Sequence, residues 1–138
     1  MIEKLKKEEY NTIIELAKKL NANYTVDLIG PNENVIIYKK DNLVIGFIQY
    51  LKLYDTLEII NIFVKEEYRK QGIAKKMIDY LITDDVKHIL LEVRESNVDA
   101  ISFYKHLGFT QIRTIKNYYK EEDAIVMERR IKWKMYIY

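Results

Sequence analysis

Apolar residues along the chain recur at two different periods, and the switches between them mark out its elements. From about Lys7 to Leu20, Tyr10, Ile13, Ile14, Leu16, Ala17 and Leu20 keep the three-and-four spacing of an amphipathic helix. A short strand candidate, Ile2 to Leu5, precedes it. The stretch NANYTVDLIGPNEN that follows carries Gly30, Pro31 and several asparagines, and reads as a loop with room for one helical turn. Val35 to Tyr38 and Leu43 to Leu53, joined at Asp41-Asn42, read as a hairpin, and Leu57 to Val64 follows a break at Asp55. At Glu66 the period turns helical: Ile73, Met77 and Leu81 recur at every fourth place, Ala74, Ile78 and Ile82 accompany them, and the helix should end near Thr83 to Asp85. His88 to Arg94 is strand-like, Val98 to His106 is a short helix ending at Gly108, and Phe109 to Ile115 and Ala124 to Arg129 are two more strands.

Strand, helix, antiparallel strands, helix, strand, helix and strands in that order predict an α/β or α+β domain around a mixed sheet. The 138 residues suit one domain, with no repeat or linker to divide them. Its 23 basic and 21 acidic residues call for no nucleic acid, although lysines cluster at the chain ends and around Arg69 to Lys76. With no cysteine, thiolate catalysis and cysteine metal sites are excluded. MIEKLKKEEY lacks the apolar core of a secretory signal and no apolar run could span a membrane, so a soluble cytoplasmic protein without integral membrane association is expected. The tail IKWKMYIY mixes lysines with Trp133, Tyr136 and Tyr138; a last strand or a partner contact is the economical reading, against a membrane surface.

VKEEYRKQGIAKKMI, Val64 to Ile78, places Gly72 where strand gives way to helix, in the helix's first turn. A missing side chain there lets a ligand approach the backbone, and the free amides of a helix start attract phosphate oxygens. Arg69, Lys70, Lys75 and Lys76 add positive charge at the rim. The spacing is neither GxxxxGK[ST] nor GxGxxG, and suits a pyrophosphate. A turn glycine among surface lysines is the alternative.

RKQGIA, Arg69 to Ala74, resembles the [QR]xxGx[GA] signature of the GNAT superfamily of acetyl-coenzyme A-dependent N-acetyltransferases. LEVRESNVDAISFYKHLGF, Leu91 to Phe109, is similar to the second half of that family's coenzyme site. With NYYKEEDAIVM, Asn117 to Met127, the chain looks most like the branch that acetylates protein N-termini, including ribosomal-protein alanine. The resemblance runs from about Leu43 to Met127. It implies the acyl-coenzyme A N-acyltransferase fold: a mostly antiparallel sheet with one splayed parallel strand pair, flanked by helices. Residues 1–34 would form a variable acceptor side, residues 35–130 the core and residues 131–138 an aromatic tail. The front departs from the pattern, since Asn21 to Asn34 is short and polar where the family builds part of its peptide groove.

The resemblance also implies roles. Acetyl-coenzyme A, with no metal, would lay its pyrophosphate on Arg69, Lys70, Gln71, Gly72, Ile73 and Ala74, and its pantetheine arm against Ile62, Phe63, Val64 and Asn97. Backbone amides by Phe63 and Val64 would hold the thioester carbonyl. Glu92 shares a strand face with Leu90 and Arg94; an ion pair would satisfy it structurally, whereas the family's glutamate in this position takes the proton of the attacking amine. Tyr104, by helical spacing a core residue with its hydroxyl at the rim, matches the family's tyrosine that protonates the departing thiolate.

Tyr118 and Tyr119 match the family's substrate-side loop, or simply pack a hairpin. Asn61 stands beside the substrate amine in the family, or steadies a bulge. His88 and His106 have no metal-ligand spacing and read as rim or surface histidines. The reading is an N-acetyltransferase acting by direct attack in a ternary complex. Its acceptor would be a protein N-terminus, with a small-molecule amine, or a coenzyme-binding module without catalysis, as alternatives. The tail could join two copies or cover the site.

Overall fold

In the computed structural model the described residues are 1–18 and 33–132, so most of the loop read at Asn21 to Asn34, and the tail from Trp133, lie outside them. The strands are β1 (Ile2–Lys4), β2 (Glu33–Lys40), β3 (Leu43–Leu53), β4 (Thr56–Val64), β5 (His88–Arg94), β6 (Thr110–Tyr119) and β7 (Glu122–Arg130). The helices are α1 (Tyr10–Ala17), α2 (Ile73–Leu81) and α3 (Val98–His106). The strands form one mixed sheet in the order β1-β2-β3-β4-β5-β7-β6. Its one parallel pair is β4 and β5, which the crossover through α2 permits. The chain divides into two compact units, one within Met1–Lys52 and Ile59–Thr83, the other within Leu53–Glu58 and Asp84–Tyr138.

In the first unit, the apolar run of β3 is unbroken from Val44 to Ile48 because both faces of the strand are covered. Ile37 pairs with Phe47 on one face, and these pack with Val35, Val44 and Phe63 against Ile13, Leu16 and Ala17 of α1. Ile36 pairs with Ile48 on the other, the face approached by Met77 of α2. Gly46 permits that approach. A Cβ there would stand 2.8 Å from the Phe63 carbonyl oxygen and 3.2 Å from Met77 Cε. Each large side chain fully withdrawn from water here contributes roughly 1.5–3 kcal/mol before entropy is counted. The β2–β3 turn uses Asp41 and Asn42 at φ 52° and 64°, the left-handed pair that matches strand twist in a two-residue hairpin. Lys39 ties β2 to the front of the chain, its ammonium 2.7 Å from both Glu3 and Glu9.

Two helix starts come later than the periodicity predicts, and α2 ends at Leu81, short of Thr83 to Asp85. The helix read from Lys7 starts as a 3₁₀ turn, Lys7–Glu9, before α1. The segment from Glu66 likewise forms a 3₁₀ turn, Glu66–Tyr68, and α2 begins only at Ile73. Lys70 and Gly72 explain the delay, since φ values of 62° and 77° cannot continue a right-handed helix.

In the second unit, β5 alternates with Ile89, Leu91 and Val93 buried, and it pairs with β7, where Ala124 to Met127 are all buried. β6 is the outer strand, and its exposed residues include Arg113 and Lys116, the charges that suit an edge. His88 is half-buried at the head of β5, where its Nδ1 lies 2.8 Å from Glu128 and its Nε2 2.6 Å from the Thr56 hydroxyl. A charged carboxylate only accepts, so Nδ1 donates to Glu128. His88 is thus a brace between strands at the rim, while His106 is exposed on the surface.

Candidate active site

The first unit contributes backbone chemistry. After the buried Phe63 and Val64 the chain leaves the sheet, makes the 3₁₀ turn, and turns twice through left-handed conformations before α2. Gly72 is the N-cap residue, one place ahead of the first helical turn. The first amide bonded along the helix is that of Lys76, to the Gly72 carbonyl at 3.0 Å. The amides of Gly72, Ile73, Ala74 and Lys75 are therefore the donors that every helix leaves over, and no side chain caps them. Nothing stands within 4 Å of where a Gly72 Cβ would be. A bare cluster of donors at the positive end of a helix, with open space before it, fits a phosphate group.

The cations around this loop are partly committed. Arg69 donates from Nε to the Val64 carbonyl at 2.8 Å and lays its guanidinium 5.8 Å from the Phe63 ring centre, so it closes the loop onto the strand it left. Lys75 pairs with Asp79 at 2.7 Å, an exposed contact of small energy. Gln71 donates to the Glu67 carbonyl at 3.4 Å. A cleft of about 520 Å³ opens beside the same helix start, with Lys40, Gln71, Ile73 and Lys76 in its wall. Asn61 donates from Nδ2 to Gln49 Oε1 at 2.9 Å, and Gln49 is fully buried. That partner of Asn61 went unnoticed in the sequence, although a glutamine amid LVIGFIQY is the visible signal.

The second unit contributes side chains. Asn97 caps α3, its Oδ1 accepting from Ala100 N at 3.1 Å, and its Nδ2 is the donor it can offer a ligand. The far end of α3 is a Schellman turn: Gly108, at φ 92°, donates to Lys105 O, and Phe109 donates to Tyr104 O, both at 3.0 Å. That turn folds Phe109 back on Tyr104, with ring centres 5.6 Å apart; Phe103 lies at 5.3 Å. Tyr104 is 8% exposed, and burial pushes its hydroxyl well above the usual tyrosine range. It keeps its proton at any working pH. It can give a proton or a hydrogen bond and does not serve as a base.

Glu92 does not pair with Arg94. Arg94 reaches Glu122 instead, at 3.0 Å, and spreads its guanidinium 4.1 Å from the Tyr119 ring centre. Glu122 also accepts from Ser96 N and then from Arg94, and these hold its carboxyl below the ordinary range. Glu92 is half-buried, and the nearby Glu92 carboxylate pushes the Tyr118 hydroxyl up to about 12. Glu92, Tyr104, Asn97, Tyr118 and Tyr119 all belong to this unit, whereas Asn61, Ile62 to Val64 and Arg69 to Ala74 belong to the other. Arg94 and Glu122 were missed in the sequence, because nothing in their spacing predicts which carboxylate each cation meets.

Comparison with known proteins identifies the family. The model of the acetyltransferase (GNAT) family matches residues 2–109. An N-alpha-acetyltransferase of Saccharolobus solfataricus is 34% identical over 107 residues, covering 64% of each chain. The [ribosomal protein bS18]-alanine N-acetyltransferase of Escherichia coli K12 is 37% identical over 81 residues, 53% of this chain and 55% of that one. The chain thus spans less than two thirds of the length of these curated relatives. The crystal structure of the ribosomal-protein-S18-alanine N-acetyltransferase from Escherichia coli superposes with a TM-score of 0.75 over 99% of both chains at 24% identity, a likeness of fold.

Proposed function

Because the chain belongs to the GNAT acetyltransferase family, we propose that it transfers an acetyl group from acetyl-coenzyme A to a primary amine, the α-amine of a protein N-terminus. The observation that carries the coenzyme assignment is the uncapped start of α2 around Gly72, with its open approach. The relatives named for N-alpha and ribosomal-protein alanine acetylation support the choice of acceptor, a ribosomal protein among them. When bound, acetyl-coenzyme A supplies a thioester that an amine can attack directly.

The chain's own residues would do the rest. The amides from Gly72 to Lys75 hold the pyrophosphate, with Lys70, Gln71, Ile73 and Ala74 forming the cradle and Arg69 closing it. Backbone groups of Ile62, Phe63 and Val64 and the free Nδ2 of Asn97 hold the pantetheine arm. Amides by Phe63 and Val64 stabilise the carbonyl oxygen as charge develops. Glu92 takes the proton of the incoming ammonium, and Tyr104 holds a proton for the sulfur that departs. An α-amine titrates at about 8 and a lysine at about 10.4, so the first asks less of Glu92. Asn61, Tyr118 and Tyr119 line the acceptor side.

The test is incubation with labelled acetyl-coenzyme A and a panel of peptides with free N-termini, lysine-only peptides and small amines. Label on the α-amine of the first group is expected, and E92Q and Y104F should bind coenzyme yet lose roughly 10²-fold or more in transfer rate. Small amines outcompeting peptides would replace the acceptor, and coenzyme binding without any turnover would leave a binding module in place of an enzyme.

A further inference from the structure

Between Val64, the last residue of β4, and Ile73, the first of α2, the chain must leave the sheet and turn the bare amides of the helix start to open space. Little holds it there. Glu66, Glu67, Arg69, Lys70, Gln71 and Gly72 are all exposed, so burial gives this loop no anchor. Bonds from Tyr68 N to Lys65 O and from Arg69 N to Glu66 O close the 3₁₀ turn and reach no further. Lys70 then takes a φ of 62°, which a residue with a Cβ resists, and such a conformation persists where its surroundings fix it.

Among the described residues the fixing contact comes from Arg69. Its Nε donates to the Val64 carbonyl at 2.8 Å. Val64 is buried, where a polar group is costly to leave without a partner. The guanidinium lies 5.8 Å from the ring centre of Phe63, and that ring packs in one cluster with Ile13, Leu16 and Ala17 of α1. On the other face of the sheet Met77 of α2 approaches Gly46. Arg69 therefore folds back over the end of β4 toward the α1 face, away from the helix whose amides are bare.

We infer that Arg69 is a positioning residue for the amides of Gly72 to Lys75, acting through its Nε–H bond to Val64 and not through its charge on the coenzyme's phosphates. The inference rests on those amides holding the pyrophosphate in the proposed function. Substitution separates the two roles. A glutamine amide nitrogen stands at the same bond count from Cα as arginine Nε, and it carries an N–H without a charge. Lysine keeps the charge but sets its ammonium further out, with no planar edge to lay on Phe63. A buckle should accept glutamine and refuse lysine, whereas a phosphate contact should do the reverse.

The experiment is calorimetric titration of acetyl-coenzyme A into wild type, R69Q, R69K and R69M at several salt concentrations, with exchange of the Arg69 Nε–H against water followed by NMR in the coenzyme-free protein. R69M should raise the dissociation constant about tenfold, the effect of leaving a buried acceptor without its donor. R69Q should return to within about threefold of wild type, while R69K stays close to R69M. All four should lose affinity with salt at the same slope, since no ionic contact is lost. Without coenzyme, the Arg69 Nε–H should exchange more slowly than that of exposed Arg113. R69K binding as tightly as R69Q, or a flatter salt dependence in R69M, overturns the inference and leaves the coenzyme site in place. Four equal dissociation constants, or an Arg69 Nε–H that exchanges as fast as that of Arg113, do the same. Wild type that binds no acetyl-coenzyme A ends the coenzyme reading and the inference together.

Discussion

The loop around Gly72 and the cluster around Glu92 solve opposite problems. Around Gly72 the groups proposed to work are backbone amides left over by a helix start, and the side chains nearby are turned elsewhere, Arg69 to Val64 and Lys75 to Asp79. Around Glu92 the groups proposed to work are side-chain oxygens, in a cluster where Tyr118 stands edge-on to Tyr119 and Arg94 covers the Tyr119 ring. The contrast teaches where each half is vulnerable. A backbone site fails when φ is disturbed, and a side-chain site fails when packing or charge is disturbed.

The largest expected effect lies on the side-chain half. Y104A removes a ring buried between Phe103 and Phe109 and should cost about 3–5 kcal/mol in urea unfolding. Y104F keeps the ring and should unfold close to wild type while transfer is lost; equal unfolding of the alanine and phenylalanine variants would show that the aromatic packing does not set the stability of α3. The backbone half should respond differently. G72V meets no atom within 4 Å but must hold a β-branched residue at φ 77°, a strain of about 1–3 kcal/mol. Coenzyme affinity, followed by calorimetry, should fall by more than that loss of stability explains, with acceptor preference unchanged. A G72V protein that unfolds like wild type and binds coenzyme normally would end the argument that the helix start is a backbone site.

Acid should weaken the side-chain half in a defined window. His88 first, and Arg130 after it, hold the Glu128 carboxyl below its ordinary 4.5. A carboxyl depressed by folding stabilises above its unfolded value, and that contribution is lost as pH falls through the folded one. As pH falls below 4.5, wild type should therefore lose urea resistance more steeply than E128Q. Parallel curves would mean that the His88 brace carries no linkage.

How far the sequence foretold each half follows the same contrast. Gly72, Gly108 and Asp41-Asn42 are legible because a left-handed φ restricts which residues can stand there. The strands β3 to β5 are legible because Leu57, Ile59, Ile89, Leu91 and Val93 alternate or run unbroken in step with burial. The delayed start of α2 was hidden, since EEYRKQ is as compatible with helix as with a 3₁₀ turn until Lys70 and Gly72 adopt their φ values. Also hidden was which partner each charge finds. Arg94 lies two residues from Glu92 on the same strand face and yet bonds Glu122 and covers the Tyr119 ring, both brought to it by strands far along the chain.

Asn97 is where the two kinds of site meet, and it offers the finest discrimination. Its Oδ1 is spent on the Ala100 amide, a backbone function, while the Nδ2 on the same side chain is the part proposed to meet the coenzyme. N97A loses both and should cost about 1 kcal/mol of stability together with coenzyme affinity. N97D keeps a capping oxygen, gains a favourable charge at the helix start and loses only the amide donor. Its unfolding should match or exceed wild type while the dissociation constant of acetyl-coenzyme A rises several-fold, measured by calorimetry at fixed salt. Were N97D to bind as wild type and N97A alone to weaken, Asn97 would act on the coenzyme only by holding the first turn of α3, and would pass from the side-chain half of the comparison to the backbone half.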